Sequence, residues 1–369
     1  MKIAQICPRY SPDIGGVETH VKEISERLVK AGHEVEVITT DPTGKLGKRE
    51  TINGVKVVRF RSFAPGNAYY FAPQIYTYLK KHDYDVIHAH SYHAFPAFFA
   101  SLSRHGGKFV FTPHYHRRGH TAFRNLLHKP YRLFGRMIFS RADSVICVSE
   151  YEKKLVESDF KVAAKTVKIP NGINLKEFQN LKPPRKGSKM KTGTEKLLLY
   201  VGRLEEYKGV QYIIQSLPEL QDFNLRIVGK GPYEAELRNM AKKLGVEGRV
   251  EWLKQLSRKE LLECYADADI FLMLSSHEAY GITVAEALAA GTPCIVAKGS
   301  ALEEFVDGKN CIGIENPVSK EKIARAMKEI KKKERKENSG GINSGIDKNI
   351  MDWNEVSARI EKQYIQDKE

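Results

Sequence analysis

The chain has 369 residues, of which 41% are hydrophobic and 28% charged, with a formal net charge of +15. That balance belongs to a folded globular protein, and the length exceeds a single hydrophobic core, so two domains are expected. No apolar run approaches the roughly 18 residues of a membrane-spanning helix, and the start, MKIAQICPRY, reads as a first strand rather than a leader. Cys7, Cys147, Cys264, Cys294 and Cys311 are scattered and never form a C-x-x-C pair, which suits reduced, buried thiols in a cytoplasmic protein.

In chain order, KIAQIC from Lys2 is a strand, followed by the loop PRYSPDIGG and a helix with Val17, Val21, Ile24 and Leu28 on one face. EVEVIT from Glu34, VKVVRF from Val55, DVIHAH from Asp85, KFVFTP from Lys108 and SVICVS from Ser144 continue the strand series. Strands alternating with helices predict parallel sheets with right-handed crossovers. Between Asp85 and Asp143 there is no acidic residue, whereas Arg104, Lys108, Arg117, Arg118, Arg124, Lys129, Arg132, Arg136 and Arg141 all fall there. Within it, Phe123, Leu127, Tyr131, Phe134 and Ile138 mark an apolar helix face, and Pro130 is expected to bend or break the helix. The segment 117–141 is therefore a candidate contact for an anionic membrane surface on the inner face of the cell membrane. The alternative is that its apolar face packs on the sheet. Nothing resembles a nucleic-acid reading motif, so no nucleic-acid partner is expected.

The rhythm breaks at LKPPRKGSKMKTGTE, from Leu181, which reads as a linker. A second α/β series follows with KLLLYVGR from Lys196, then FNLRIVG, RVEWL, IFLML, PCIVA and CIGI. After a second break from Lys331 comes a last helix with Trp353, Val356 and Ile360.

Ligands of open α/β sheets sit beyond the C-terminal ends of the strands, so those loops carry the candidate site. Gly15 and Gly16 precede a helix, where backbone amides can approach an anion. No G-x-G-x-x-G is present and the nearest run is Gly229-Lys230-Gly231-Pro232, which argues against a dinucleotide-dependent dehydrogenase. Arg203 and Lys208, at a strand end and a helix start, form a candidate diphosphate clamp. In SSHEAYGITVAEALAAGTPCIVA, from Ser275, Glu278 lies in a loop and Glu286 on the following helix, with Gly281 between them. Carboxylates accept hydrogen bonds from vicinal hydroxyls, so this pair suits sugar and ribose recognition. Two D-x-D sequences, Asp83-Tyr84-Asp85 and Asp267-Ala268-Asp269, run into strands and so belong at the opposite sheet edge. The histidines at 88, 90, 93, 114, 116 and 120 are read as donor or acceptor contacts rather than metal ligands, and no metal is assigned.

These residues together resemble the retaining glycosyltransferases of family 4, which have the GT-B fold. The likeness runs through Gly15-Gly16-Val17-Glu18-Thr19-His20, His114, Ile169-Pro170-Asn171-Gly172, Val201-Gly202-Arg203 with Lys208-Gly209, Gly229-Lys230-Gly231-Pro232, and Glu278 with Glu286. Tyr280 departs from the phenylalanine found in many members. The resemblance implies two Rossmann-like domains facing across a cleft: 1–175, an acceptor domain joined by a C-terminal helix at 350–369 that crosses back to it, and 196–349, a donor domain, with 176–195 as linker. By the same resemblance, Arg203 and Lys208 hold the donor phosphates, Glu286 the ribose, and Glu278, Gly281 and Ile282 the transferred sugar. Gly15 and Gly16 approach the distal phosphate, and His114 lines the reaction centre. The catalytic group is thus His114, Arg203, Lys208 and Glu278. The implied activity is retaining, metal-independent transfer of a hexose from a nucleotide-diphosphate sugar to a glycan or lipid-linked acceptor, without a cofactor. GDP-mannose is placed first, ahead of UDP-glucose and UDP-N-acetylglucosamine. The alternatives are a nucleotide-sugar 2-epimerase-like enzyme or a non-catalytic sugar-nucleotide-binding protein.

Overall fold

The computed structural model describes residues 1–103, 106–117, 122–179, 181, 196–337 and 350–365. Most of the expected linker, residues 180 and 182–195, lies outside them, as do Arg104, Arg118 and His120. The chain divides into two compact units, Met1–Gly172 with Asp352–Glu369, and Ile173–Met351.

The first unit is built on β1 (Lys2–Ile6), β2 (Glu34–Asp41), β3 (Arg49–Ile52), β4 (Val55–Arg61), β5 (Val86–His90), β6 (Lys108–Thr112), β7 (Ser144–Cys147) and β8 (Thr166–Lys168). They lie in the order β3-β4-β2-β1-β5-β6-β7-β8. Only the β3–β4 pairing is antiparallel. Strands covered on both faces need apolar residues at successive positions rather than alternation, and β5, β7 and most of β1 are buried along their length. The chain steps outward from β1 to β2 and returns to β5 on the other side. That makes β1/β5 a topological switch point, with the loops after both strands opening on one edge.

The final helix, Trp353–Ile365, belongs to this unit. Trp353, Val356, Ile360 and Tyr364 are buried as one stripe, the three- and four-residue spacing of an amphipathic helix. Its polar ties include Asn354 to Arg27 at 3.0 Å, Glu361 to His33 at 2.7 Å, and the Tyr364 hydroxyl to Gln5 at 3.0 Å and His88 at 2.7 Å.

The basic segment departs from its expectation. The helix Ala122–Arg141 runs through Pro130 without a break. Tyr131, Ile138 and Phe139 are buried in the core, and Phe134 packs against it, so that part of the apolar face is already covered. Arg132 and Arg136 are exposed on the other side, while Arg117 is held by Asp159 at 2.9 Å.

The second unit has a six-stranded sheet: β9 (Lys196–Val201), β10 (Phe223–Val228), β11 (Val250–Leu253), β12 (Ile270–Met273), β13 (Cys294–Ala297) and β14 (Cys311–Ile314). Its order is β11-β10-β9-β12-β13-β14 and every pairing is parallel. The switch point here is β9/β12. All five cysteines are buried free thiols.

Candidate functional site

The two units present two chemically different groups, each at a sheet's C-terminal edge. In the second unit β9 delivers Arg203 and Lys208, and β12 delivers Glu278. The Ser276 amide donates to the Tyr207 carbonyl at 2.9 Å and so ties the two loops together. Lys208 Nζ then meets Glu278 Oε1 at 2.5 Å, with both side chains largely buried. Burial by itself would lower the Lys208 ammonium, but the Glu278 carboxylate and the neighbouring tyrosines, Tyr207 and Tyr200, raise it overall. Gly209 follows at φ +77°, and a β-carbon there would run into the Leu274 carbonyl, so only glycine lets the β9 loop lie so close to β12. Arg203 is exposed and paired with Glu205.

Gly281, at φ +111°, caps the helix Ile282–Ala289 and turns the chain from Glu278 into it. Its missing side chain leaves room for Leu302, which a β-carbon would meet at 2.6 Å. Glu286 sits on this helix and is buried. One of its oxygens accepts from Arg258 Nη1 at 2.6 Å and the other from the Tyr265 hydroxyl at 2.8 Å. Arg258 also donates through Nε to Glu177 at 2.7 Å. Burial disfavours the Arg258 guanidinium, yet Glu286 and Glu177 raise its pKa overall; burial and Glu286 both push the Tyr265 phenol well up.

Sequence reasoning missed Arg258 and Tyr265. Ser257 and Glu260 form a reciprocal capping box that starts the helix Arg258–Asp267. Arg258 and Tyr265 stand seven residues apart, two helical turns, so they share a face. That spacing was the available signal.

In the first unit Gly15 and Gly16 begin the helix Gly16–Lys30. A β-carbon on Gly15 would strike the Glu18 carboxylate, which Arg9 holds at 2.8 Å. Beside Gly16 there is open space, so a ligand can reach its backbone. His20 on this helix, His90 at the end of β5 and His114 after β6 bring their rings together, with centroids 5.1–6.1 Å apart. His114 holds a left-handed backbone at φ +46°, sparsely populated by residues other than glycine. Burial lowers all three pKa values, His20 to about 4 despite its bond to Asn171, the other two well below the usual imidazole range with neighbouring histidines adding to the effect. His93 stacks instead on His116, at 4.2 Å between ring centroids.

The D-x-D sequences have structural work. Asp85 Oδ2 accepts from the Lys2 amide at 2.6 Å and Asp269 Oδ2 from the Leu197 amide at 2.6 Å. Both sit where strands begin, at the edge opposite the groups just described.

Two family models match in succession, Glycosyltransferase Family 4 over residues 14–177 and Glycosyl transferases group 1 over residues 183–344. An uncharacterized glycosyltransferase of Methanocaldococcus jannaschii is 32% identical over 83% of this chain and 83% of its own. The phosphatidylinositol N-acetylglucosaminyltransferase GPI3 subunit of Saccharomyces cerevisiae is 25% identical over 98% of this chain and 82% of its own. Among solved structures, Anabaena HepE in complex with UDP-glucose superposes with a TM-score of 0.78 at 19% identity, covering 98% of this chain and 99% of that one. The fold is therefore GT-B, and the chain belongs to family 4 of the glycosyltransferases, the group 1 glycosyl transferases.

Proposed function

We propose that the chain transfers a hexose, with retention of configuration, from a nucleotide-diphosphate sugar to a glycan or lipid-linked acceptor. The observation that carries this reading is the pair of carboxylates at the β9/β12 switch point, each held by a cation: Glu278 by Lys208 and Glu286 by Arg258. A carboxylate offers about four lone-pair directions. Arg258 and Tyr265 engage one on each oxygen of Glu286, and the remaining directions suit the vicinal hydroxyls of a ribose. Glu278 gives one oxygen to Lys208 and its other to hydroxyls of the transferred sugar, beside the backbone of Gly281 and Ile282. Arg203 and Lys208 meet the diphosphate, whose charge grows as the sugar leaves, and preplaced cations stabilise that growth without a metal or cofactor in the step. Gly15, Gly16 and His114 are the first unit's contributions, at the distal phosphate and the reacting sugar.

The neighbour HepE is named with UDP-glucose and the yeast relative as a phosphatidylinositol glycosyltransferase, which supports a nucleotide-sugar donor and a lipid acceptor. GDP-mannose stays first among the donors. Incubation of the full chain with GDP-mannose, UDP-glucose and UDP-N-acetylglucosamine, with and without phosphatidylinositol or a short glycan, tests the reading. Acceptor-dependent release of nucleoside diphosphate is the expected result. Interconversion of the sugar without an acceptor would instead establish the epimerase reading, and donor binding without turnover a binding protein.

A further inference from the structure

At the C-terminal ends of β2 and β4 the first unit opens a cavity of about 610 Å³, whose lining includes Pro42, Arg61, Phe63, Phe71, Pro73 and Gln74. A second cavity of about 260 Å³ shares Pro73 and is otherwise lined by Tyr76, Phe99 and Leu102. Phe63, Phe71 and Tyr76 are 72%, 44% and 39% exposed, and large apolar side chains exposed together mark a surface that meets something other than water. The arrangement is preformed. Phe63 and Phe71 exchange backbone hydrogen bonds at 3.0 and 2.9 Å, and the Phe71 ring stands edge-on to Phe95 and Phe99. Arg61 supplies a charge. No acidic residue lines either cavity, and the Arg61 guanidinium has no hydrogen-bond or ion-pair partner among the described residues. Arg59, two residues earlier, is by contrast held by Glu50 and by the carbonyls of Gly47 and Ser11.

We propose that the two cavities bind one molecule of a lipid phosphate ester, with its phosphate on Arg61 and its hydrocarbon chain along Phe71, Pro73, Tyr76 and Phe99. A guanidinium presents paired N–H donors that match a phosphate, and the bonds are strengthened by the charge on both partners. The chain covers apolar surface that is now in water. A neutral glycan fits less well, because it needs many polar partners. The Ser62 hydroxyl is spent on Thr40 at 3.1 Å, which leaves Arg61 and Gln74 as the side-chain groups of the lining open to a ligand. A free anion would leave the aromatic walls unused. The role of the site, holding a lipid-linked acceptor, rests on the transfer reading. Its position suits that role: the Thr40 hydroxyl donates to the Pro8 carbonyl at 2.8 Å and Arg59 to the Ser11 carbonyl at 2.6 Å. The strands that open the cavity thus also anchor the loop that ends at Gly15 and Gly16.

The test is calorimetric titration of the full chain with dihexanoyl-phosphatidylinositol below its micellar concentration. Dihexanoyl-phosphatidylcholine, with a zwitterionic head, and inorganic phosphate, without a chain, are the comparisons. One equivalent of the anionic lipid per chain is expected, bound more tightly than either. Arg61→Gln should weaken it by about tenfold or more and remove the preference over phosphatidylcholine. Phe63→Ser, at an exposed side chain, should weaken both lipids several-fold and keep that preference. Geranyl phosphate distinguishes a prenyl from an acyl carrier, and the tighter binder identifies the source. Titration of the unmodified chain with UDP and GDP reports on the transfer reading separately. Nucleotide binding without binding of any of these lipids overturns the site alone, whereas lipid binding without nucleotide removes the transfer reading and leaves the site standing. Sedimentation with phosphatidylinositol vesicles but no binding of the monomeric lipids also overturns it, because that is a membrane surface and not a one-molecule site. Unchanged affinity in folded Arg61→Gln and Phe63→Ser does so as well.

Discussion

The two units build their binding edges from opposite chemistry. At the β9/β12 edge the polar groups are charged and paired, with Lys208 on Glu278, Arg203 on Glu205, and Arg258 on Glu286. At the β1/β5 edge the Arg9–Glu18 pair stands near three imidazoles that burial keeps neutral, each with a nitrogen that has no hydrogen-bond partner among the described residues. Both edges arise from the same cause, a parallel sheet whose strand order reverses, so the fold accounts for where each group stands and not for its character. Ion pairs preplace charge for a ligand that brings its own charge and hydroxyls. Neutral imidazoles supply lone pairs without a charge for a diphosphate to seek. On the proposed reading a nucleotide diphosphate is therefore held mainly by the second edge.

The largest effect expected from that contrast is at Lys208. Lys208→Ala should lower kcat/KM for transfer by about 10²–10³-fold, as loss of a preorganised stabilising group does elsewhere, with circular dichroism unchanged. Arg203→Ala is expected to act in the same direction, and near-normal turnover in both variants would remove the phosphate-clamp role.

A smaller effect is expected at Tyr265. Its hydroxyl bond to an ionised Glu286 is of the kind worth roughly 1.5–3 kcal/mol, so Tyr265→Phe should weaken nucleotide binding by about tenfold or more. The loss should shrink for a 2′-deoxy donor, which presents no vicinal diol. Equal losses for both donors would show that the tyrosine supports packing rather than ribose recognition.

The basic helix gives a weaker, salt-dependent prediction. Tyr131, Ile138 and Phe139 are in the core, which leaves Leu133 and the exposed arginines for any contact with an anionic bilayer. Arg132→Glu with Arg136→Glu should then reduce co-sedimentation with anionic vesicles several-fold, and the difference should fade as salt rises. Absence of sedimentation by the unmodified chain at low salt would dismiss the surface altogether.

The smallest expected effect is a null one. Lys208's folded pKa is raised, so its contribution is fully present below the unfolded value of about 10.4 and is lost only as pH rises through the folded one. The pH–rate profile should accordingly show no alkaline limb from Lys208 up to about pH 9. A limb near pH 8 that vanishes in Lys208→Arg would contradict the ion pair.

Much of this was legible beforehand, for physical reasons. Runs such as KLLLYV and SVIC are buried on both faces and advertise parallel strands, and Gly209 and Gly281 mark places where the backbone needs φ > 0. Lys208 and Glu278, seventy residues apart, met because each follows a strand at the switch point. What escaped was tertiary. Arg258 gains its role only from Glu286, which the fold lays beside it. Pro130 carries the strongest local signal against a helix, yet the helix Ala122–Arg141 continues through it, with Tyr131, Ile138 and Phe139 in the core beyond. The arrangement of the histidine cluster depends on Gln5, Asn171 and Tyr364, partners spread from one end of the chain to the other.

The central claim is that the carboxylates and cations at the β9/β12 edge hold a nucleoside diphosphate. Calorimetric titration of the full chain with UDP and GDP tests it most directly, comparing the unmodified protein with Lys208→Ala and Glu286→Gln. One site per chain for at least one of the two nucleotides is predicted, abolished by the first substitution and weakened by the second. No binding of either nucleotide, or binding that both substitutions leave unchanged, would contradict it.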